Sequence, residues 1–392
     1  MSIFPEAALR AGFLVGRVWQ TGPNAGPTVA LFDSEGVHDL SGAASTVSEL
    51  LERPDLSELR STLLKQAPMC SITGLLENTD RFQSGDNCAG PHLLAPCDLQ
   101  VVKACGVTFA VSAFERVVEE RSHGDPRLAG EMRQSLQAGL GEELKRIKPG
   151  SPAAAQLKER MLSRGLWSQY LEVAFGPDAE VFTKAPPLSA VGYGAEIGIH
   201  RMSSWNNPEP EVVLAVNSRG EAVGATLGND VNLRDVEGRS ALLLGKAKDN
   251  NGACAIGPAI RLFDDTFTLD DVRAAEVTLE VQGPDGFSLA GRSSMNQISR
   301  DPLELVRQTM GPHHQYPDGL MLFLGTLFAP IQDRDESGLG FTHRIGDRVT
   351  IGALGLGSLV NSVNYCDVIE PWTFGIRQLF SNLQQRGLLL GK

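Results

Sequence analysis

The sequence predicts a mixed β/α protein, mainly β. A small N-terminal α+β domain over residues 1–99 precedes a larger β-rich domain over 100–392, which carries a helical insertion at about 112–170. Three observations predict this class. Short apolar runs are cut by turn residues throughout, with Gly 42 and Pro 22 in the chain, as expected of many strands and tight connections. Dense charge of mixed sign at helical spacing is gathered in one stretch, 112–170. The length of 392 residues exceeds one ordinary core, so two domains are expected.

Residues 10–41 alternate apolar segments with turn chemistry, "GRVWQTGPNAGPTVALFDSEGVHDLS". This reads as a small antiparallel sheet with "TGPNAG" and "DSEG" as its turns. A helix follows at "STVSELLERP": Ser45 or Thr46 caps it, Glu49 completes the capping pattern, and Pro54 ends it. The run from Leu93 to Cys105 leads into "GVTFAVSAFERVVEERS". Within 112–170 the segments "SAFERVVEERS", "LAGEMRQSLQAGLGEELKRIK" and "SPAAAQLKERMLSRGLW" read as helices broken at "HGDP" and "PGSP". Their charge suits a solvated helical excursion, a covering arm or an oligomer contact, more than chemistry. From Ala179 strands return. The glycine-rich "GLGEEL" and "GALGLGSL" lack the strand-then-helix setting and the spacing of a phosphate cradle.

A net charge of -12 without a basic cluster excludes a nucleic-acid partner. No apolar run reaches the roughly 18 residues of a membrane span, and "AGFLVGRVW" has neither the basic start nor the cleavage site of a signal peptide, so a cytoplasmic protein is expected. Six scattered cysteines with no CxxC pair read as reduced thiols. The pair His313-His314 lacks ligand spacing and reads as surface loop.

The most informative stretch is "NPEPEVVLAVNSRGEAVGATLGNDVNLRD", residues 206–234. Glu209 and Glu211 are two apart and project to one side of a strand. The apolar run after them, the turn "NSRGE" and then "AVGATLGND" describe a hairpin centred near Arg219. In that register residue 209 faces 229 and residue 211 faces 227, which brings Asp230 to the end where Glu209 stands. Carboxylates converging in an apolar setting are either hydrated on a rim or neutralised by a cation. Hard oxygen ligands favour Mg²⁺, with Mn²⁺ or Ca²⁺ able to take its place, and three protein ligands leave coordination positions open for catalysis.

The order ExE, "GNDVNLRD", "LLLGKAKD", "FLGTLFAP" and "HRIGDRVTIGALGLGSLVNSV" resembles the fumarylacetoacetate hydrolase superfamily over about residues 100–365. Within it the chain is most similar to the 2-keto-3-deoxy-D-pentonate (D-arabinonate or D-xylonate) dehydratases. The resemblance implies the family's β-rich fold in the C-terminal domain, with magnesium on Glu209, Glu211 and Asp230. It assigns the lysine of the "GK" motif to Lys246 and that of "FTKAP" to Lys184. Thr326, where the family's threonine meets the substrate carboxylate, and Asn229 of the "ND" motif are the implied substrate contacts. Hydrolases of the superfamily carry "GxNYxxHxxE", whereas this chain reads "GVTFAVSAFE". Ser112 stands at the histidine position and Glu115 remains. Loss of a base that works near neutral pH argues against attack by water.

The resemblance therefore implies dehydration of a 2-keto-3-deoxy sugar acid to 2,5-dioxopentanoate. Lys246 or Lys184 is the expected base at C3, and Glu115 the expected acid on a closing lid. Ser112 either takes part in choosing the reaction or only caps its helix. The alternatives are an acylpyruvate- or fumarylpyruvate-type C–C hydrolase on the same scaffold and a non-catalytic sugar-acid-binding protein. A homodimer or homotetramer is expected, with no membrane partner.

Overall fold

The computed structural model describes residues 2–56, 67–86, 88, 90–140, 147–326, 328, 330, 332–335 and 338–389, with side chains of the helix Pro126–Leu140 described as far as Arg133. In chain order the strands are β1 (Leu14–Gln20), β2 (Gly26–Phe32), β3 (Val37–Asp39), β4 (His92–Leu93), β5 (Val101–Gly106), β6 (Glu180–Ala185), β7 (Glu196–Ile199), β8 (Asn206–Asn207) and β9 (Pro210–Val216). They continue with β10 (Ala222–Asp230), β11 (Asn232–Leu233), β12 (Cys254–Leu262), β13 (Glu276–Gln282), β14 (Ser288–Ser294), β15 (Leu320–Phe323), β16 (Arg348–Ala353) and β17 (Gly357–Tyr365). Among the described residues they form a ten-stranded sheet in the order β3-β2-β1-β12-β10-β9-β15-β5-β6 with β4 alongside β1. A five-stranded sheet β14-β13-β16-β17-β7 and the ribbon β8-β11 complete the set.

The expected antiparallel strands of residues 10–41 are β1, β2 and β3, joined at the expected turns. They are not a sheet of their own. Leu14 and Val15 pair with Arg261 and Ile260, so β1 to β3 extend the large sheet that also holds β9 and β10. The helix Val47–Leu51 starts as its sequence dictates: the Thr46 hydroxyl accepts the Glu49 N–H at 3.0 Å, and the Glu49 carboxylate accepts the Ser45 N–H at 2.7 Å.

Two apolar layers hold the sheets. Val212, Leu214 and Val216 of β9 pack with Leu320 and Leu322 of β15 and with Leu279, Val281 and Ile351 of the smaller sheet. The alternate residues Val213, Ala215, Met321 and Phe323 face the other way, toward Val47, Leu50 and Leu51. A strand buried on both faces reads as the continuous apolar run seen at 212–216. Burying this much apolar side chain, at about 25 cal/mol per Å², is the main term holding the layers together.

The hairpin register departs from expectation in one place, with large effect. Ala222 pairs with Val216 as expected, but Gly224 pairs with Ala215, leaving Val223 as a bulge. From there every pair is one residue off, so Gly228 faces Glu211 and Asn229 faces Pro210. Beyond the ladder the Asp230 N–H donates to the Glu209 carbonyl at 3.0 Å. A one-residue slip exchanges the two faces of a strand. The bulge therefore places Asp230 on the face of Glu209 and Glu211; the uniform register would have turned it to the opposite face.

The helical insertion comprises the helices Ala110–Arg121, Pro126–Leu140, Pro152–Ser163 and Gln169–Phe175, broken at the expected turns, while 141–146 of the expected helical run lie outside the described residues. Val117, Val118, Leu157, Met161, Leu171 and Phe175 build a core of its own. The insertion is a covering arm, as expected, but with a buried core rather than a solvated surface alone. Its first helix leaves β5 through Val107, a β-branched residue at φ 56°, and lies over the carboxylate end of β9. The stretch "GALGLGSL" is the antiparallel turn between β16 and β17, with no helix behind it. His313 and His314 are exposed, as a surface loop requires.

Gly228 sits opposite Glu211, and a Cβ there would fall 2.3 Å from the Phe323 ring and 2.6 Å from Val213 Cγ2. Gly228→Ala should therefore destabilise the fold by about 1–3 kcal/mol, read by urea unfolding. An unchanged midpoint would refute this packing.

Candidate active site

Glu209 and Glu211 at the mouth of β9 and Asp230 at the end of β10 bring carboxylate oxygens within 4.8 Å of one another, all buried. Their surroundings differ. Glu209 accepts from Arg116 at 2.7 Å, from Lys248 at 2.5 Å and from Asn232 at 3.2 Å. Asp230 lies 2.8 Å from the Lys184 ammonium and 2.9 Å from that of Lys248. Burial alone would raise the Asp230 carboxyl, but the two lysines outweigh it and hold it below the ordinary carboxylate range. Glu211 accepts the Gly325 N–H at 2.7 Å and has no ion pair among the described residues. Burial, with Asp230 and Glu209 beside it, pushes its carboxyl well above the ordinary value. A divalent cation shared by the three oxygens is what this arrangement calls for: it supplies Glu211 with the counter-charge that no side chain supplies. The residues thus fit a hard metal ion.

A cavity partly open to solvent lies beside the trio. One wall is the helix Ala110–Arg121, which offers Ser112, Glu115, Arg116 and Glu119; the opposite wall includes Phe182, Asn207, Glu237 and Lys248, and Gly106, Gly325 and Thr326 lie between them. Arg116 grips three carboxylates, Glu119 at 2.6 Å, Glu209 at 2.7 Å and Glu237 at 2.8 Å. Arg234 reaches Glu119 at 2.7 Å and Glu115 at 3.3 Å, with its guanidinium over Trp205 at 4.2 Å. Burial would raise Glu119, yet Arg116 and Arg234 hold it low. Glu237 is the contrary case. Burial lifts its carboxyl to about 7 against the opposing pull of Arg116 and Lys248. Lys248 stays protonated, because Asp230, Glu209 and Glu237 outweigh its burial.

The pattern that defines the fumarylacetoacetate (FAA) hydrolase C-terminal family matches residues 163–364. The chain belongs to this family. A Haloferax volcanii protein named "Probable 2-keto-3-deoxyxylonate dehydratase" is 32% identical over 194 residues, 50% of this chain and 63% of that one. The "2-dehydro-3-deoxy-D-arabinonate dehydratase" of Saccharolobus solfataricus is 32% identical over 155 residues, 40% of this chain and 51% of that protein. The matches thus span between half and two-thirds of those relatives. The solved "2-keto-3-deoxy-D-arabinonate dehydratase complexed with magnesium and 2,5-dioxopentanoate" superposes with a TM-score of 0.59 at 21% identity, over 90% of this chain and 99% of the other. At that identity the likeness is one of fold.

Family motifs brought some expected residues into the site and misplaced others. Lys246 is exposed; on the one-turn helix Leu244–Lys248 it points away while Lys248, two positions on, is buried against Glu209 and Asp230. The lysine of the site is Lys248, and both lie in "GKAK". Lys184 reaches the site from behind. Its ammonium meets Asp230, the Val231 carbonyl at 3.1 Å and the Lys248 carbonyl at 2.6 Å, so its three donors are all spent inside the protein and it tethers rather than takes a proton. Glu115 lines the cavity, but Arg133 donates to both its oxygens at 2.8 and 2.7 Å, so it orders arginines rather than offering a proton. Ser112 caps: its hydroxyl donates to the Phe109 carbonyl at 2.8 Å and accepts the Phe109 N–H at 3.3 Å. Asn229 faces away from the cavity and accepts the Glu209 N–H at 3.0 Å. Thr326 does line the cavity, its hydroxyl accepting the Phe328 N–H at 3.0 Å. Residue-by-residue reading missed Arg116, Glu119, Arg234 and Glu237. The repeat of Arg116 and Glu119 at i, i+3 beside Glu115 was visible, but nothing in it separates a buried network from a solvated helix face.

Lys248→Met should cost about 3–5 kcal/mol in EDTA, because it strips a shared cation from two buried carboxylates, and Mg²⁺ should restore much of the loss. Lys246→Met should stay within about 0.5 kcal/mol of the wild type. Unfolding curves with and without Mg²⁺ read both, and equal effects at the two positions would refute the reassignment.

Glu237 links stability to pH with a definite sign. Between its ordinary 4.5 and about 7 the folded protein keeps a proton that the unfolded chain has released, so stability falls as pH rises through that window. The loss is on the order of 3 kcal/mol. In EDTA, Glu237→Gln should flatten the stability profile between pH 5 and 8; a slope unchanged by the substitution would show that Glu237 does not titrate there.

Proposed function

We propose that the chain is a magnesium-dependent hydro-lyase that converts 2-dehydro-3-deoxy-D-pentonate, derived from D-xylonate or D-arabinonate, to 2,5-dioxopentanoate. The observation that carries this reading is the buried trio Glu209, Glu211 and Asp230 beside Lys248, in a cavity with no histidine among its described lining residues. The names of the curated relatives point the same way, as does the product bound in the solved structure of similar fold.

Bound to the trio, Mg²⁺ would polarise a 2-keto acid at its C2 oxygen, making C3 acidic, and would share the carboxylate charge that keeps Lys248 protonated. The chain's own groups do the rest. Thr326 and the Asn207 amide, whose Oδ1 is buried without a partner among the described residues, orient the carboxylate and hydroxyl end of the substrate. Relieved of part of that carboxylate charge, Lys248 would be deprotonated before turnover and would take the proton from C3. The C4 hydroxyl leaves, and the C5 hydroxyl becomes an aldehyde by tautomerisation. A hydrolase would need a base to activate water. Ser112 stands where the family's hydrolases have their histidine, and its hydroxyl is held in the helix cap. Free thiols at all six cysteines suit a reducing cytoplasm, and exposed Trp372, Ile376 and Phe380 near the C-terminal helix suit a homo-oligomer.

Purified protein with Mg²⁺ and 2-keto-3-deoxy-D-pentonate should lose one water per turnover by mass spectrometry, and coupling to an aldehyde dehydrogenase should yield 2-oxoglutarate. The L-epimer should react more slowly and the parent pentonates not at all. EDTA or Glu211→Gln should abolish turnover while circular dichroism stays native. Faster cleavage of acylpyruvates, or rapid dehydration of D-xylonate itself, would reject this reading.

A further inference from the structure

Glu180 begins β6, the edge strand of the large sheet, and pairs with Gly106 of β5. Its side chain shares a face with Phe182, which lines the cavity. The Glu180 carboxylate lies over Gly106, itself part of the cavity wall. A Cβ on residue 106 would fall 2.1 Å from Glu180 Oε2, so glycine is what makes room for the carboxylate. Glu211 occupies the same face three strands away, across β15 and β5, roughly 14 Å between backbones at the usual strand spacing. Glu211 lines the cavity and accepts the Gly325 N–H, and the Glu180 carboxylate stands at the cavity's edge, behind Gly106 of its wall.

What separates Glu180 from the other acids here is that no side chain among the described residues pairs with it. Glu115, Glu119, Glu209, Asp230 and Glu237 each meet an arginine or lysine, and Glu211 belongs to the metal trio. Among the described residues Glu180 has neither an ion pair nor a hydrogen bond to its carboxylate, although Arg116, Lys248, Glu209, Asp230, Tyr170 and Cys105 are near enough to feel its charge or be felt by it. A carboxylate clamped by guanidinium groups is a poor proton donor; an unclamped one in a partly apolar wall is a good one. Burial raises the Glu180 carboxyl above its ordinary value, against the pull of Arg116 and Lys248.

We propose that Glu180 is the catalytic acid that protonates the leaving C4 hydroxyl. The inference rests on the dehydratase reading above. The electron pair of the C3–H bond becomes the C3–C4 double bond as Lys248 takes the proton. The C4–O bond breaks with its pair on oxygen, and that oxygen receives the proton of the Glu180 carboxyl and departs as water. Glu180 regains a proton from solvent before the next turnover. A substrate anchored at the trio by its keto-acid end extends across Gly325 toward Gly106, which puts its C4 hydroxyl on the Glu180 side.

A leaving group that needs no proton separates this role from a structural one. Wild type and Glu180→Gln are compared on 2-keto-3-deoxy-D-pentonate and on its 4-deoxy-4-fluoro analogue, read as water or fluoride released, with Mg²⁺ saturating. General acid catalysis predicts a fall in kcat of about 10²–10⁴-fold for the hydroxyl substrate. For the fluoro analogue the two proteins should agree within about fivefold, which also shows that the variant is folded. Equal loss on both compounds, or no loss on either, overturns the assignment of Glu180 while leaving the dehydratase reading intact. Wild-type protein that releases neither water nor fluoride refutes that reading, and the inference with it.

Discussion

Everything around the cavity follows from the need to bury several carboxylates at one end of a greasy sheet. Glu209, Glu211, Asp230, Glu115, Glu119 and Glu237 sit within one network whose cations are Arg116, Arg133, Lys184, Arg234 and Lys248. Unpaired, each buried carboxylate would cost several kcal/mol. Cations are distributed so that, among the described residues, all of these but Glu211 are matched by a side chain, and Glu211 is the one a metal ion would match. The distribution explains why the insertion exists where it does. Its first helix delivers Arg116 to Glu209 from above while the two lysines approach from the sides and below. An ion-binding site and its cover are thus one electrostatic object.

The fold was largely legible in the chain, because its signals are local. Alternation and turn residues mark β1 to β3, a capping pattern marks the helix at Val47–Leu51, and "HGDP" and "PGSP" mark the breaks between the inserted helices. Long-range pairing was not legible. Nothing near Leu14 says that it will pair with Arg261, so residues 1–99 read as a separate unit although their strands continue the large sheet. The same limit governs the hairpin. Its turn is written in "NSRGE", but the bulge at Val223 arises from how β10 fits between β9 and β12, whose own register also shifts between Ala225 and Leu227.

The site divides along the same line. Glu209, Glu211 and Asp230 were legible because acids beside an apolar run stand out against their surroundings. Lys246 and Lys248 differ in sequence by one intervening alanine, and only the burial of one side of a single helical turn separates them. Glu115 and Glu237 show the complementary difficulty: whether a carboxylate can exchange a proton depends on which guanidinium groups surround it, and those arrive from helices distant in the chain. Family resemblance carries motif positions across, but it cannot carry the neighbours that decide their chemistry.

The grip of Arg116 on Glu119, Glu209 and Glu237 joins one helix to a strand and to a second short helix. It makes closure of the cover conditional on correct assembly beneath it. A hairpin that paired without the bulge would present Asp230 to the wrong side, leaving Lys184 and Lys248 without an anion they now share and the helix with fewer charges to dock upon. Burying those cations unmatched is too unfavourable for the cover to settle. Charge complementarity here therefore favours one strand registration over its neighbour, the alignment in which all three carboxylates meet.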